Sequence, residues 1–263
     1  MLVCSTGLIG TGDEVFRGKV LAGTEAAIEG LSTEGGPDAA RAIMTTDTVP
    51  KTVTFDGDGW TIGAMAKGAG MLAPGLATML VVITTDAVLD AAEADAHLRA
   101  ATCVSFDRLD SDGCMSTNDQ VTLLVSGASD VVPDADEFRS ALVEVCTDLA
   151  VQLQADAEGA SHNIAIRVVG AESEDDAVEV GRSVARNNLF KAAIFGNDPN
   201  WGRVLAAIGT TRASFDPYAV DVSFNGVRLC SDGAPDRPRE EVDLTPRATD
   251  VLIDLKAGEA SAT

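Results

Sequence analysis

Apolar residues in this chain recur with two different periods. At Phe138, Leu142, Val145, Leu149 and Leu153 they return near every 3.6 residues, which predicts an amphipathic helix over Asp134 to Gln154, stopped at Gly159. Asp13 caps a second helix, running to about Leu31 with a looser apolar face of Val15, Val20, Leu21, Ala26 and Ile28. Further helices are expected over Pro37 to Ile43, over the alanine- and acid-rich stretch Asp86 to Ala101, and from the capping signal at Ser173 to about Asn188. Alternation with period two appears in Val53-Thr-Phe55 and Trp60-Thr-Ile62 around Asp56-Gly-Asp-Gly59, a hairpin over residues 51–64. Strands are also expected at Met79–Ile83, Val104–Leu109, Val121–Val125, Ile164–Val169 and Val251–Leu255, the last followed by a small-residue tail. Val220–Phe224 and Val227–Cys230 flank Asn225-Gly226, a second hairpin. Residues 196–203 are rich in turn formers and lead into the apolar run Val204–Ile208. Strands and helices mix without strict alternation, so the fold class is α+β, with layered sheets and helices. No internal repeat and no linker marks a domain boundary.

Composition narrows the function classes. Of 263 residues, 46% are hydrophobic, enough for a substantial core. No apolar run approaches the roughly 20 residues that span a bilayer. The N-terminus lacks the basic region of a secretory signal, which places the protein in the cytoplasm. Five scattered cysteines, never spaced Cys-x-x-Cys, and two histidines argue against a disulfide framework and against a metal site. Acidic residues outnumber basic ones 41 to 19, for a net charge of −22, so nucleic acid and anionic membranes are repelled. Only five of the basic residues are lysines, a surface like that of proteins from salt-accumulating microbes.

The stretch Lys67-Gly-Ala-Gly-Met-Leu-Ala-Pro-Gly-Leu-Ala-Thr-Met-Leu80 carries the candidate chemistry. Read blandly, it is a small-residue loop entering a buried strand. Read sharply, the chain breaks its own Ala77–Thr78 bond and leaves Thr78 as an N-terminal nucleophile. A threonine hydroxyl needs a base, and cleavage creates one on the same residue. A free α-amine has a pKa of about 7.7–8.0, against about 10.4 for an ordinary lysine. Lys67, one of the few lysines, lies in this glycine-rich stretch. The cluster Thr45-Thr46-Asp47-Thr48 groups hydroxyls beside an acid, either as turn chemistry or to hold a polar ligand.

Several segments, in order along the whole chain, resemble the ornithine acetyltransferase family, also known as glutamate N-acetyltransferases. They are Cys4-Ser-Thr-Gly-Leu-Ile-Gly10, Ala42-Ile-Met-Thr-Thr-Asp-Thr48, Lys67-Gly-Ala-Gly-Met71 with Ala77-Thr-Met-Leu80, and Thr84-Thr-Asp-Ala87. Ser116-Thr-Asn-Asp119, Glu158-Gly-Ala160 and Gly196-Asn-Asp-Pro-Asn-Trp-Gly-Arg203 continue the set. The resemblance implies the self-cleaving, N-terminal-nucleophile-like fold of that family. It implies cleavage between Ala77 and Thr78, giving an α piece of residues 1–77 and a β piece of residues 78–263. Thr78 would be the nucleophile, Thr6 and Gly7 the oxyanion hole, and Thr45, Lys67, Thr78 and Glu158 the substrate contacts. The acetyl group would pass from N-acetylornithine to glutamate through acetyl-Thr78, with no metal or organic cofactor. Acetyl-coenzyme A is a further possible donor, and an α2β2 assembly of the two pieces is the implied partner arrangement.

The pattern departs from the family at two places. Ser161-His162 follow Glu158-Gly-Ala160 where relatives have Thr-Lys. Relatives also carry a long segment before the oxyanion motif and further Asn and Ser/Thr contacts at the C-terminal end, so a fragment or a shortened member is expected. Two other readings stay open from the residues: an amidohydrolase or aminopeptidase of the same fold, and an uncleaved, non-catalytic chain.

Overall fold

The computed structural model describes residues 3–8, 10–73 and 78–263. The chain forms two compact units, one of residues 1–106 with 115–157, the other of residues 107–114 with 158–263. The chain passes from one unit to the other at three places, none of them a long polar linker, which is why composition showed no boundary.

The first unit is built on a four-stranded sheet in the order β1-β2-β3-β4: β1 Lys51–Asp56, β2 Thr61–Lys67, β3 Leu80–Thr85 and β4 Gln120–Val125. The first three are antiparallel neighbours and β4 runs parallel to β3. The expected hairpin is β1–β2, with Gly57 under Trp60. A Cβ at Gly57 would stand 2.3 Å from the indole, so only glycine lets the ring close over the turn. Helix α3 (Ala91–Val104) connects β3 to β4, and α4 (Ala135–Ala155) packs against β1, β2 and α3. The stripe Phe138, Leu142, Val145, Leu149, Leu153 is fully buried, and the Phe138 ring lies 5.2 Å from Trp60 and 5.5 Å from His97. Asp134 caps α4 through the amides of Asp136 and Glu137.

Two expectations fail in this unit. Helix α3 begins at Ala91 rather than near Asp86, because Asp86 spends its carboxylate on the Thr61 amide and its carbonyl on Ser129. Asp90 and Glu93 then form the reciprocal capping box that starts the helix. The strand expected at Val104–Leu109 is absent: Val104 ends α3 and Phe106–Arg108 is a single 3-10 turn. Helices α1 (Glu14–Glu29, capped by Asp13) and α2 (Gly36–Ala42) form where the pattern placed them, and no residue of α1 is buried.

The second unit carries a six-stranded sheet in the order β10-β5-β9-β6-β7-β8. Its members are β5 Asn163–Ala171, β6 Asp221–Phe224, β7 Val227–Ser231, β8 Ala234–Pro235, β9 Ala248–Asp254 and β10 Ala260–Ala262. Strands β5 and β9 are parallel and the remaining pairs antiparallel. Asn225 and Gly226 take φ of 47° and 81°, the left-handed pair that a two-residue hairpin turn requires. The small-residue tail supplies edge strand β10. The helix expected from Ser173 to about Asn188 is α5 (Glu174–Ala185); beyond it a further helix, α6 (Asn188–Phe195), starts where the Asn187 side chain accepts the Phe190 amide and caps it. Val204–Ile208 lies in α7 (Trp201–Ile208). Helices α5, α6 and α7 bury Val180, Val184, Phe190, Ile194, Val204 and Ile208 in the same core as the sheet residues Val168, Val222, Phe224 and Ile253.

Candidate active site at the β2–β3 connection

Strands β2 and β3 pair in register from Ile62–Thr85 to Lys67–Leu80. This pairing places the end of β2 beside the start of β3, with the glycine-rich segment between them. Lys67 is therefore the last residue of β2 and not a loop residue as expected. It is 1% exposed, and its ammonium donates to the backbone carbonyl of Thr78 at 3.1 Å. The next amide, that of Met79, donates to the Asp119 carboxylate at 2.9 Å. Thr78 is thus held from both sides by its main chain. Among the described residues its hydroxyl meets the Met71 thioether, 3.9 Å away, a weak acceptor.

The backbone ahead of Thr78 has unusual conformations. Gly68 has φ 151° and Met71 has φ 55°, a left-handed value that a long side chain rarely adopts. A Cβ at Gly68 would lie 3.1 Å from Leu72 and 3.3 Å from the Thr78 carbonyl oxygen. Ala77, the expected residue before the cut, falls outside the described residues. The expected cut lies within the first unit, with β2 in one piece and β3 in the other.

Electrostatics around Lys67 follow from three neighbours. Burial pushes its pKa below the usual lysine value; Asp47 and Asp119 pull it back up, and Lys51 pushes it down. No carboxylate among the described residues lies within ion-pair distance of its ammonium. Burial raises the Asp119 carboxyl, against the Met79 amide and the charge of Lys67.

Thr45 is exposed, and its amide donates to Asp47 at 3.1 Å; the same carboxylate accepts the Gly68 amide at 2.7 Å. Thr6 is half-buried and Gly7 exposed, and the adjoining Ser5 carbonyl accepts from the Asn118 side chain at 2.9 Å. Hydrogen bonds therefore connect Lys67 directly to Thr78, and Thr45 to the residue after Lys67. They also bind the chain next to Thr6 to Asn118, whose neighbour Asp119 holds Met79. Glu158 belongs to the second unit and is exposed. In that unit both nitrogens of His162 are engaged, by Ser161 Oγ and by the Leu244 carbonyl, each at 2.8 Å. The carbonyl can only accept, so Nε2 donates to it.

Four residues of the cluster had no role assigned from sequence. Asp47 is one member of the hydroxyl-rich group, and Asp119 enters only as part of the family-like segment Ser116-Thr-Asn-Asp119. Lys51 and Asp156 were not singled out, although the scarcity of lysine that marked Lys67 marks Lys51 equally. Among the described residues no group of His, Cys, Asp and Glu is arranged to hold a metal ion, and no helix is long and apolar enough to cross a membrane.

Comparison with known proteins gives a consistent result. The model of the ArgJ family matches residues 1–263. The chain is 60% identical over 261 residues to the arginine biosynthesis bifunctional protein ArgJ of Streptomyces avermitilis, covering 99% of this chain and 68% of that protein. It is 59% identical over 263 residues to the protein of the same name from Thermobifida fusca, covering 100% of this chain and 68% of the relative. The crystal structure of arginine biosynthesis bifunctional protein ArgJ from Bacillus halodurans aligns with a TM-score of 0.65 at 30% identity, over 73% of this chain and 92% of the other.

Proposed function

The chain belongs to the ArgJ family, and from that premise we propose that Thr78 is the nucleophile of its acyl transfer, unmasked by cleavage of the Ala77–Thr78 bond. The activity is that of an ornithine acetyltransferase and glutamate N-acetyltransferase, moving an acetyl group in arginine biosynthesis. The α+β fold is the one its ArgJ structural neighbour has.

Cleavage begins when the Thr78 hydroxyl attacks the Ala77 carbonyl, shifting the acyl group from nitrogen to oxygen. Water then hydrolyses that ester, leaving a carboxylate on Ala77 and a free α-amine on Thr78. In the transfer cycle this amine takes the hydroxyl proton as Thr78 Oγ attacks the acetyl carbonyl of N-acetylornithine. The Thr6 hydroxyl and the Gly7 amide stabilise the oxyanion; one such donor is typically worth about 2.7–4 kcal/mol. Collapse breaks the amide C–N bond, and ornithine leaves with the proton. The amine of glutamate attacks the acetyl ester, forms the new C–N bond and restores the hydroxyl.

The observation that carries this reading is the fixing of Thr78 by its own main chain, from Lys67 and through Met79 from Asp119, while among the described residues its hydroxyl meets a thioether. Lys67 brings an ammonium to the Thr78 carbonyl, a charge suited to a substrate carboxylate. Thr45 and Glu158 complete the proposed contacts. Pairing of β2 with β3 accounts for how the 1–77 and 78–263 pieces stay together, and the α2β2 assembly and a cytoplasmic location belong to the same proposal. Acetyl-coenzyme A is proposed as a second donor to the same threonine.

The test follows labelled acetyl from N-acetylornithine in the presence of glutamate. Labelled acetylglutamate is the expected product. Free acetate without acetylglutamate would contradict transfer and make the chain a hydrolase.

A further inference from the structure

The first unit buries a charged cluster that the chemistry above does not use. Lys51 and Asp47 have fully buried side chains, and Lys51 Nζ lies 2.7 Å from Asp47 and 2.7 Å from Asp156. Its third donor goes to the Val49 carbonyl at 3.3 Å, so the ammonium is saturated. Asp156, at the C-terminal end of α4, also accepts the Thr48 amide and hydroxyl. Asp47 Oδ1 accepts both Lys51 and the Gly68 amide, and Oδ2 accepts the Thr45 amide.

Stability does not explain this arrangement. A buried ion pair is often no more stable than well-packed apolar side chains in the same space. Apolar side chains cannot, however, accept two amides on one carboxylate. The two amides here belong to Thr45, a proposed substrate contact, and to Gly68, which follows another, Lys67. Nor can they place a negative charge near the Lys67 ammonium, which has no carboxylate in contact among the described residues.

We propose that Asp47, clamped by Lys51 and Asp156, is a positioning residue for acetyl transfer: it sets Thr45 and the Lys67–Gly68 corner relative to Thr78. The inference rests on the assignment of Thr45 and Lys67 as substrate contacts. Lys51 and Asp156 act one step further out, fixing the rotamer of Asp47. Because Asp47, Asp119 and Lys51 are the charged groups facing Lys67, changing the cluster also changes the pH at which Lys67 loses its proton.

The experiment uses the purified full chain and measures kcat and KM for N-acetylornithine, the pH profile of kcat/KM, and intact mass. Asp47→Asn keeps the size of the side chain and removes its charge. It should raise KM roughly tenfold, the scale of one displaced hydrogen-bonded contact, with a smaller change in kcat. The alkaline limb of kcat/KM should move to lower pH. Lys51→Met removes the like charge beside Lys67 and should move that limb to higher pH. Opposite movements of the limb are what a merely structural role would not produce. An unchanged KM with an unmoved limb in Asp47→Asn overturns the proposal. Should that variant fail to accumulate as folded protein, Lys51→Met decides, and an unmoved limb there overturns it. Lys67→Met separates the two levels: transfer unaffected by it refutes both the substrate-contact assignment and this inference. Transfer impaired by it, but unaffected in Asp47→Asn, refutes this inference alone.

Discussion

The ammonium of Lys67 donates to the carbonyl of Thr78 across eleven residues of chain. Strand pairing makes this contact possible, because Lys67 ends β2 opposite Leu80 at the start of β3. Directly after β2, Gly68 takes φ 151°.

Gly68→Ala is therefore expected to damage the site more than the fold. A Cβ there would press on the Thr78 carbonyl and Leu72 in a backbone region that L side chains avoid. Self-cleavage, followed by gel or intact mass, should slow at least tenfold, with the protein still folded by circular dichroism. Cleavage at the normal rate would show that the position of Thr78 is not set at this corner.

Asp156→Asn isolates the acid dependence of the buried cluster. Burial pushes Asp156 upward, but hydrogen bonds from Lys51 and Thr48 outweigh it and hold the carboxyl below its ordinary value. Asp47 is lowered in the same way, by Gly68, Lys51 and Thr45 against burial. A carboxyl depressed in the folded state adds stability above its unfolded pKa, about 3.9, and loses it as pH falls through the folded value. The stability gap between the natural chain and Asp156→Asn should thus be widest near neutrality and close below about pH 4. Urea titrations at pH 7 and pH 3 would show it. A gap that widens in acid would contradict the arrangement.

Salt should stabilise the protein. With a net charge of −22, self-repulsion acts across the surface, and raising salt from 0.1 M to 1 M shortens the screening length from about 10 Å to about 3 Å. The melting temperature should rise over that range in potassium chloride. A fall would mean that exposed ion pairs such as Arg99–Asp95 outweigh the repulsion.

Local signals marked much of the fold. Asp13, Asp134 and Ser173 start helices as their side chains predict, and Asn225-Gly226 forms its hairpin. Such features are written within a few residues of chain. The failures lie where distant partners decide. Asp86 turns away from α3 because it meets Thr61, 25 residues earlier. Strand β10, which no local pattern marked, forms because the edge of β5 is there to pair with it. The site divides in the same way. Lys67 and Thr78 stood out through lysine scarcity and the motif order. Asp156 did not, because its role depends on Lys51, 105 residues away, and no local pattern records that pairing.

The most direct test of Thr78 is the intact mass of the purified chain, before and after incubation with N-acetylornithine, beside Thr78→Ala. The natural chain should appear as residues 1–77 and 78–263, with one acetyl group added to the larger piece at its N-terminal threonine. Thr78→Ala should stay whole and transfer nothing. A single uncut chain that still makes acetylglutamate, or transfer retained in Thr78→Ala, would contradict the account.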